Sequence, residues 1–215
     1  MFKFDETDIQ SRRDFFRKEA HAEPFLIKPG TIPVMVSAPH SVKQTRNGKT
    51  KSAEYETGTL ALLLNEQGHC PCIVKTRNSN DDANFDAVST YKDALAEYIR
   101  ENDIRYLIDL HQMAITRGEL IDIGTGRGRN IHGRTGLAEE IKRLFLQQGI
   151  PSVNIDSVFR ALNKNTVSAT ISRTCHIPCF QIEMNSRLLR TEYPAYCFEK
   201  VFETLYHIIN YLSGE

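Results

Sequence analysis

Five short apolar runs, separated by longer amphipathic segments, constrain the fold of this chain more than any other feature. Several of these runs are nearly continuous, which is typical of strands that are covered on both faces. They span residues 32–36, 72–75, 106–110, 120–123 and 177–182. Helical patterns occupy residues 7–20, 53–66, 91–101, 137–148 and 193–212. The alternation predicts an α/β fold in which a mixed, mostly parallel central sheet is flanked by helices.

Length and charge limit the organisation of the chain and its partners. The 215 residues are enough to bury a full core, and no stretch repeats or has linker composition, so we expect a single domain over residues 1–215. The 27 Lys and Arg residues balance the 27 Asp and Glu residues. Because no net charge would attract nucleic acid or an anionic membrane, we expect a small-molecule substrate and neither of those partners. The oligomeric state stays open.

The N-terminal residues and the cysteines indicate the compartment. The first residues include Asp5 and Glu6 where a signal peptide would need a basic region and an apolar run, and no later run is long enough to span a membrane. The five cysteines are an odd number and do not form a disulfide pattern or a closed zinc motif. These features predict a cytoplasmic protein with reduced thiols.

Three of the predicted strands end in residues that are suited to catalysis. His40 follows the first strand, His111 follows the third, and Glu183 ends the last. In open α/β sheets, ligands bind beyond the carboxyl ends of the strands. We therefore expect these three side chains at one edge of the sheet.

Two histidines and a carboxylate are a common ligand set for catalytic zinc, which keeps a further position open for water. His40 and His111 supply the imidazoles. The carboxylate is expected soon after His40, where Glu54 and Glu56 open a helix. Glu56 is preferred because it would lie near the helix N-terminus, where the macrodipole favours an anion. Glu54 remains the alternative.

Metal-assisted hydrolysis also needs a carboxylate that moves protons and a cation that stabilises the developing oxyanion. Glu183 is the candidate for the first role, because an acid within an apolar strand is costly unless it is paired or functional. Arg77 follows the second strand and is the candidate for the second role.

Several short segments, in order along the chain, resemble the N-formylglutamate amidohydrolase family. Pro39-His40-Ser41 resembles the first ligand motif of that family, 108–111 its second histidine, and 181–185 its catalytic glutamate segment. Residues 56–59 resemble the acid-x-Gly-Thr segment of related zinc amidases. Thr76-Arg77 and Asp82-Ala83-Asn84 resemble the Ser-Arg and Asp-x-Asn-Arg pair of the N-formylglutamate amidohydrolase family. The resemblance implies a zinc-carboxypeptidase-like fold, bound Zn²⁺ and hydrolysis of the amide bond in a small N-acyl amino acid such as N-formylglutamate.

Two positions depart from the pattern of that family. Val42 replaces the usual Gly after Pro-His-Ser, and Phe85 replaces the usual Arg after Asn84. The resemblance implies that Asn84 still contacts substrate. Since Phe cannot bind a carboxylate, either another arginine takes the missing role or the protein accepts a different substrate. The candidate arginines are Arg129, Arg173 and Arg187.

Two other functions remain open at this stage. A zinc carboxypeptidase or deacylase could use the same metal centre on short peptides or acylated amino acids. A binding module that has lost turnover is the alternative from a different class, and Val42 and Phe85 are the departures that favour it.

Overall fold

The structure is a computed structural model that describes residues 4–19, 21–190 and 196–214. The α/β prediction is confirmed, because a seven-stranded mixed sheet is flanked by helices on both faces. The strands are β1 Phe25–Lys28, β2 Val34–Ala38, β3 Gln44–Arg46, β4 Lys49–Lys51, β5 Cys72–Lys75, β6 Tyr106–Met113, β7 Ile121–Gly124, β8 Val153–Ile155 and β9 Cys179–Asn185. The helices are α1 Glu6–Arg17, α2 Tyr55–Gly68, α3 Thr90–Glu101, α4 Thr135–Gln147, α5 Val167–Cys175, α6 Ser186–Leu189 and α7 Tyr196–Gly214.

The strands of the large sheet follow the order β1-β5-β2-β6-β9-β7-β8, while β3 and β4 form a separate hairpin. Neighbouring strands pair in parallel from β5 through β2 and β6 to β9, and also between β7 and β8. The β1–β5 and β7–β9 pairs are antiparallel. The carboxyl ends of β2, β6 and β9 therefore meet at one edge of the sheet.

Alternation along the central strands divides their side chains between two cores. In β6, Ile108 and Leu110 pack on the face covered by α2, α4 and α7, whereas Leu107 packs on the face covered by α3 and α5. Asp109 and His111 follow Leu107 at alternate positions and so belong to the second face. The same alternation after Cys179 in β9 places Gln181 and Glu183 on that face. Polar residues thus replace apolar ones where this face reaches the carboxyl edge.

The sequence patterns locate most elements but miss several short ones. All five predicted strands are present, with bounds that differ by up to three residues. The helix predicted from residue 193 is present from Tyr196, and its first three predicted residues lie outside the described part of the chain. The patterns miss β1, β3, β4, β8, α5 and α6. These elements are short, and a period cannot be recognised over so few residues.

Each of the five cysteines is a free thiol. None of the helices in the described ranges combines the length and the apolar character needed to cross a bilayer.

A buried ion pair connects α1 to α2. Arg13 is 4% exposed, and its Nε donates to Glu56 Oε2 over 2.7 Å. Its Nη2 also donates to the carbonyl of Leu189, at the end of α6. A single guanidinium therefore holds three helices together.

Replacing Arg13 by Ala is expected to lower the free energy of unfolding by about 3 kcal/mol or more, because the substitution leaves the half-buried Glu56 carboxylate without its partner. Urea unfolding measures the loss. Arg17→Ala is the matched control, since the Arg17–Asp14 pair is more than half exposed and should change stability by about 1 kcal/mol at most. Equal losses in the two variants would contradict a stabilising role for the buried pair.

Candidate metal centre and active-site cleft

Two histidines and one glutamate converge at the carboxyl edge of the sheet. His40 Nδ1 lies 3.0 Å from Glu54 Oε1, and His111 Nδ1 lies 3.7 Å from Glu54 Oε2. The two imidazole rings have centroids 4.8 Å apart. One ligand atom from each residue lies within 4.8 Å of the others, and this is the group of described residues whose spacing fits a metal ion.

Backbone hydrogen bonds fix the position of Glu54. It immediately precedes α2, and its N–H donates to the carbonyl of His40 over 2.8 Å. Its Oε2 accepts from the backbone N–H of Gln112 over 2.8 Å. The strand-end loop of His40 and the end of β6 therefore hold the carboxylate between the two imidazoles.

Each imidazole is held from behind by a buried carboxylate. His40 Nε2 lies 2.9 Å from Asp82 Oδ1, and His111 Nε2 lies 3.1 Å from Asp109 Oδ2. Both aspartates are fully buried. Metal-binding histidines commonly use the second ring nitrogen in this way, which fixes the ring orientation and increases the basicity of the ligand.

The carboxylates beside the two imidazoles raise the pKa of both rings. Burial lowers the pKa of His40, but Glu54 and Asp82 outweigh burial and raise this pKa to about 10. Burial also opposes protonation of His111, yet the charge and hydrogen bond of Asp109 raise its pKa above the ordinary value. The pKa of Asp82 is lowered because the contact with His40 outweighs the cost of burial. The surroundings thus favour a cation at the imidazoles.

These residues fit a divalent metal by their chemistry as well as by their spacing. The two Nδ1 atoms and the Glu54 carboxylate face one another, while Asp82 and Asp109 occupy the opposite ring nitrogens. Two imidazoles with one carboxylate are a ligand set that zinc uses in catalytic sites. A metal ion would offset the negative charge of Glu54 and Asp109. The imidazoles can balance that charge only when they are protonated.

Glu183 lies beside His111 on the neighbouring strand and lines the same cleft. The two residues are paired in the β6–β9 register, and Glu183 is 6% exposed. Its Oε1 accepts a hydrogen bond from Gln181 Nε2 over 3.1 Å. Burial, which outweighs the opposing charge of His111, raises the pKa of Glu183 to about 7. The structure thus places a carboxyl group with altered acidity next to the candidate metal ligands.

Glu56 does not lie with the two histidines, so Glu54 replaces it as the candidate acid. The Glu56 carboxylate pairs with Arg13 on α1. Glu54 is the non-helical residue before α2, and its contacts with His40 and Gln112 hold it at the strand ends. Glu56 lies in the first turn of α2 and faces α1. Proximity to the helix N-terminus could not separate them, because both acids satisfy it.

The arginines expected at the site lie elsewhere. Arg77 Nη1 donates to the carbonyl of Ala22, and Arg77 does not line the cleft. Arg129 donates to Gly126 within its own turn, and Arg173 donates to Lys164. Arg187 is exposed at the start of α6 and does not line the cleft either.

Asn84 and Phe85 line the cleft, and an arginine that the sequence analysis did not select lies over Phe85. Asn84 Oδ1 accepts from the N–H of Val167, which joins this loop to the start of α5. The Arg46 guanidinium lies 4.9 Å from the centre of the Phe85 ring and donates to Asp82 over 2.8 Å. Arg46 thus brings a positive charge next to residue 85, where the family that this sequence resembles usually has an arginine.

The cleft has a volume of about 700 Å³ and contains the metal-site residues at its base. Arg117, in the loop after β6, also lines it, with its guanidinium 5.5 Å from the Phe159 ring centre. The fully buried Asp122 accepts hydrogen bonds from the N–H groups of Val158 and Phe159. Asp122 therefore holds in place the wall of the cleft that carries Phe159.

Arg46, Arg117 and Gln181 are among the cleft residues that sequence reasoning missed. Gln181 shares the alternating period of Glu183, so the strand pattern alone could have placed it on the same face. Arg117 follows the strand that carries His111, which was a usable signal. Arg46 lies in a hairpin whose Asn47-Gly48 turn was recognisable, but its direction relative to the cleft was not.

The fold and this edge of the sheet place the chain among α/β proteins with a zinc-carboxypeptidase-like fold. A metallo-carboxypeptidase from Burkholderia cenocepacia aligns over 97% of this chain and 70% of its own, with 9% identity and a TM-score of 0.54.

Two further solved structures align over nearly the whole of both chains. A bacteriophage poly-gamma-glutamate hydrolase is 15% identical, with coverage of 92% of this chain and 94% of its own and a TM-score of 0.60. The gene product Atu2144 from Agrobacterium tumefaciens is 13% identical, with coverage of 94% and 97% and a TM-score of 0.64. The sequence matches no protein-family model, and no curated protein matches it. The likeness is therefore one of fold.

Proposed function

We propose that this protein is a zinc-dependent hydrolase that cleaves the amide bond of a small N-acyl amino acid, with N-formylglutamate as the first substrate to test. The observation that carries the proposal is the group His40, Glu54 and His111 with Glu183 beside it in one cleft. The fold is shared with a metallo-carboxypeptidase, and the sequence resembles an amidohydrolase family at His40, His111 and Glu183.

The residues of the cleft divide the work of amide hydrolysis. His40, Glu54 and His111 would hold the zinc ion, which when bound polarises the amide carbonyl and makes water more acidic. Glu183 takes a proton from the water that adds to the acyl carbon. As the carbon–nitrogen bond breaks, Glu183 delivers that proton to the leaving nitrogen, so the products are a carboxylic acid and an amine, which ionise to a carboxylate and an ammonium group.

Arg117 and Arg46 replace Arg77 as candidates for the cationic role. Both line the cleft, and a guanidinium can bind a carboxylate through two hydrogen bonds. Arg46 is already held by Asp82, whereas no ion pair is formed by Arg117 among the described residues. Arg117 is therefore our candidate for the substrate carboxylate or the developing oxyanion.

A carboxypeptidase or deacylase acting on acidic peptides is the second candidate. The size and openness of the cleft favour it, because about 700 Å³ exceeds what a formyl group and one amino acid need. The phage neighbour is a hydrolase of poly-gamma-glutamate. Glutamate also occurs in N-formylglutamate, the substrate of the family that the sequence resembles.

Zinc-loaded protein is expected to hydrolyse at least one member of a panel of N-formyl, N-acetyl and N-succinyl glutamate and short glutamate peptides. A chelator should abolish the release of free amine, and added zinc should restore it, because the proposed reaction needs the metal ion. Released amine, measured with an amine-reactive dye, is the readout.

The same panel with glutamine or leucine in place of glutamate is the matched control. Full metal occupancy without hydrolysis of any substrate would contradict the enzyme proposal and favour the binding module. Hydrolysis that the chelator leaves unchanged would contradict the role of zinc.

A further inference from the structure

The β3–β4 hairpin forms one rim of the cleft and is rich in basic residues. Lys43, Arg46, Lys49 and Lys51 all occur within residues 43–51, with no acid among them. Arg46 and Lys51 line the cleft. Every residue of β4 is exposed to solvent.

Two of these cations lack an acidic partner. Lys43 pairs with Glu19, and Arg46 pairs with Asp82. Lys49 and Lys51 form no ion pair with any residue in the described ranges. Lys49 also lies directly opposite Arg46 in the hairpin register, an arrangement of like charges that weakens a hairpin. The hairpin therefore keeps a positive charge that nothing in the described chain requires for stability.

The hairpin is ordered well enough to present these charges to a ligand. Its turn uses Asn47 and Gly48 with φ of 51° and 72°, which a tight hairpin turn requires. The buried side chain of Gln44 donates to the carbonyls of His40 and Val42. The N–H of Thr45 donates to the carbonyl of Asp81 over 3.1 Å. The hairpin is thus attached directly to the loop that carries His40.

The cleft carries positive charge on more than one wall. Arg117 lies in the loop after β6, whereas Lys51 lies on the hairpin. Glu54 and Glu183 are the acids that line the cleft. Glu54 belongs to the candidate metal site, and Glu183 lies beside it. A substrate with a single carboxylate that binds Arg117 would leave the lysines of the hairpin unused.

We propose that the β3–β4 hairpin is a second anion-binding subsite, which uses Lys49 and Lys51 to hold a further carboxylate of an acidic peptide beyond the amide bond that is cleaved. The position of the cleaved bond rests on the proposed function, but the binding of an acidic chain does not. The inference extends the proposed substrate from an isolated N-acyl amino acid to one that continues as a chain of several acidic units, and such a chain is expected to bind more tightly.

The test measures binding rather than turnover, using zinc-loaded Glu183→Gln protein so that the ligand stays intact. Calorimetry compares α-linked hexaglutamate, γ-linked hexaglutamate and N-acetylglutamate. Lys49→Gln combined with Lys51→Gln is expected to weaken binding of at least one hexamer by about fivefold or more, since each exposed ion pair contributes modestly. Binding of N-acetylglutamate should stay the same.

Lys18→Gln combined with Arg100→Gln is the matched control, because it removes the same charge from exposed positions outside the cleft. This control should leave hexamer binding unchanged. The proposal is overturned if neither hexamer binds, if both pairs of substitutions weaken binding equally, or if an oligonucleotide of similar charge binds as tightly as the hexamers. Hexamer binding that depends on the hairpin, without hydrolysis by the wild type, would contradict only the proposed function.

Discussion

Glu54→Gln protein is expected to lose its bound metal ion, whereas Glu56→Gln protein keeps it. The Glu54 carboxylate faces both imidazoles, and a neutral amide at this position offers zinc no anionic ligand. Glu56 faces Arg13, so its substitution changes a contact between helices and leaves the candidate ligands intact. Elemental analysis of zinc per chain, after identical loading and dialysis, measures both results.

The paired substitutions also separate activity from stability. Glu54→Gln should abolish hydrolysis, while Glu56→Gln should retain it and unfold at a lower urea concentration. Equal zinc content in wild type and Glu54→Gln would remove Glu54 from the metal centre. Loss of zinc from Glu56→Gln alone would instead identify Glu56 as the metal ligand.

Glu183→Gln is expected to lower kcat by about 10²–10⁴-fold while zinc content stays at the wild-type level. Glutamine has nearly the same shape and keeps a hydrogen-bond acceptor for Gln181, but it cannot carry the proton from water to the leaving nitrogen. Steady-state kinetics at saturating substrate give kcat, and elemental analysis gives the zinc content of the same preparation.

Glu140→Gln is the control for this variant, because Glu140 lies on the surface of α4 and pairs with Arg143. It should change neither kcat nor zinc content. An unchanged kcat in Glu183→Gln would exclude the proton-transfer role. Loss of zinc in that variant would show that Glu183 supports the metal ligands instead.

The two departures from the resembling family have different structural consequences. Val42 is fully buried in the main core, so its side chain contributes to packing and does not occupy the cleft. Phe85 does line the cleft, but the Arg46 guanidinium lies over its ring. Neither departure removes a group from around the candidate metal ligands. The contacts at these two positions are therefore compatible with turnover.

Much of the fold could be predicted because strand and helix periods are local. The continuous apolar runs gave the central strands β2, β5, β6, β7 and β9 within a few residues. The short elements escaped because β3 and β4 are polar strands of three residues each and α6 has a single turn. Their stability comes from contacts such as those of Gln44 with the His40 loop, which no local pattern contains.

The placement of His40, His111 and Glu183 followed from the same local reasoning. Each lies near the carboxyl end of a strand, and parallel strands bring these ends to one edge. The register that pairs His111 with Glu183 needed the structure, since strand order is not visible in a single sequence.

What the sequence by itself determined is the α/β architecture and the edge at which chemistry-bearing side chains collect, because both depend on periods of two and 3.6 residues. Only the tertiary structure decided which acid faces the histidines and which arginines reach the cleft. Glu54 and Glu56 are nearly equivalent in sequence, and the buried Arg13, distant along the chain, distinguishes them. Likewise, a charged side chain in a loop takes its direction from partners such as Asp82, and those contacts exist only after the chain has folded.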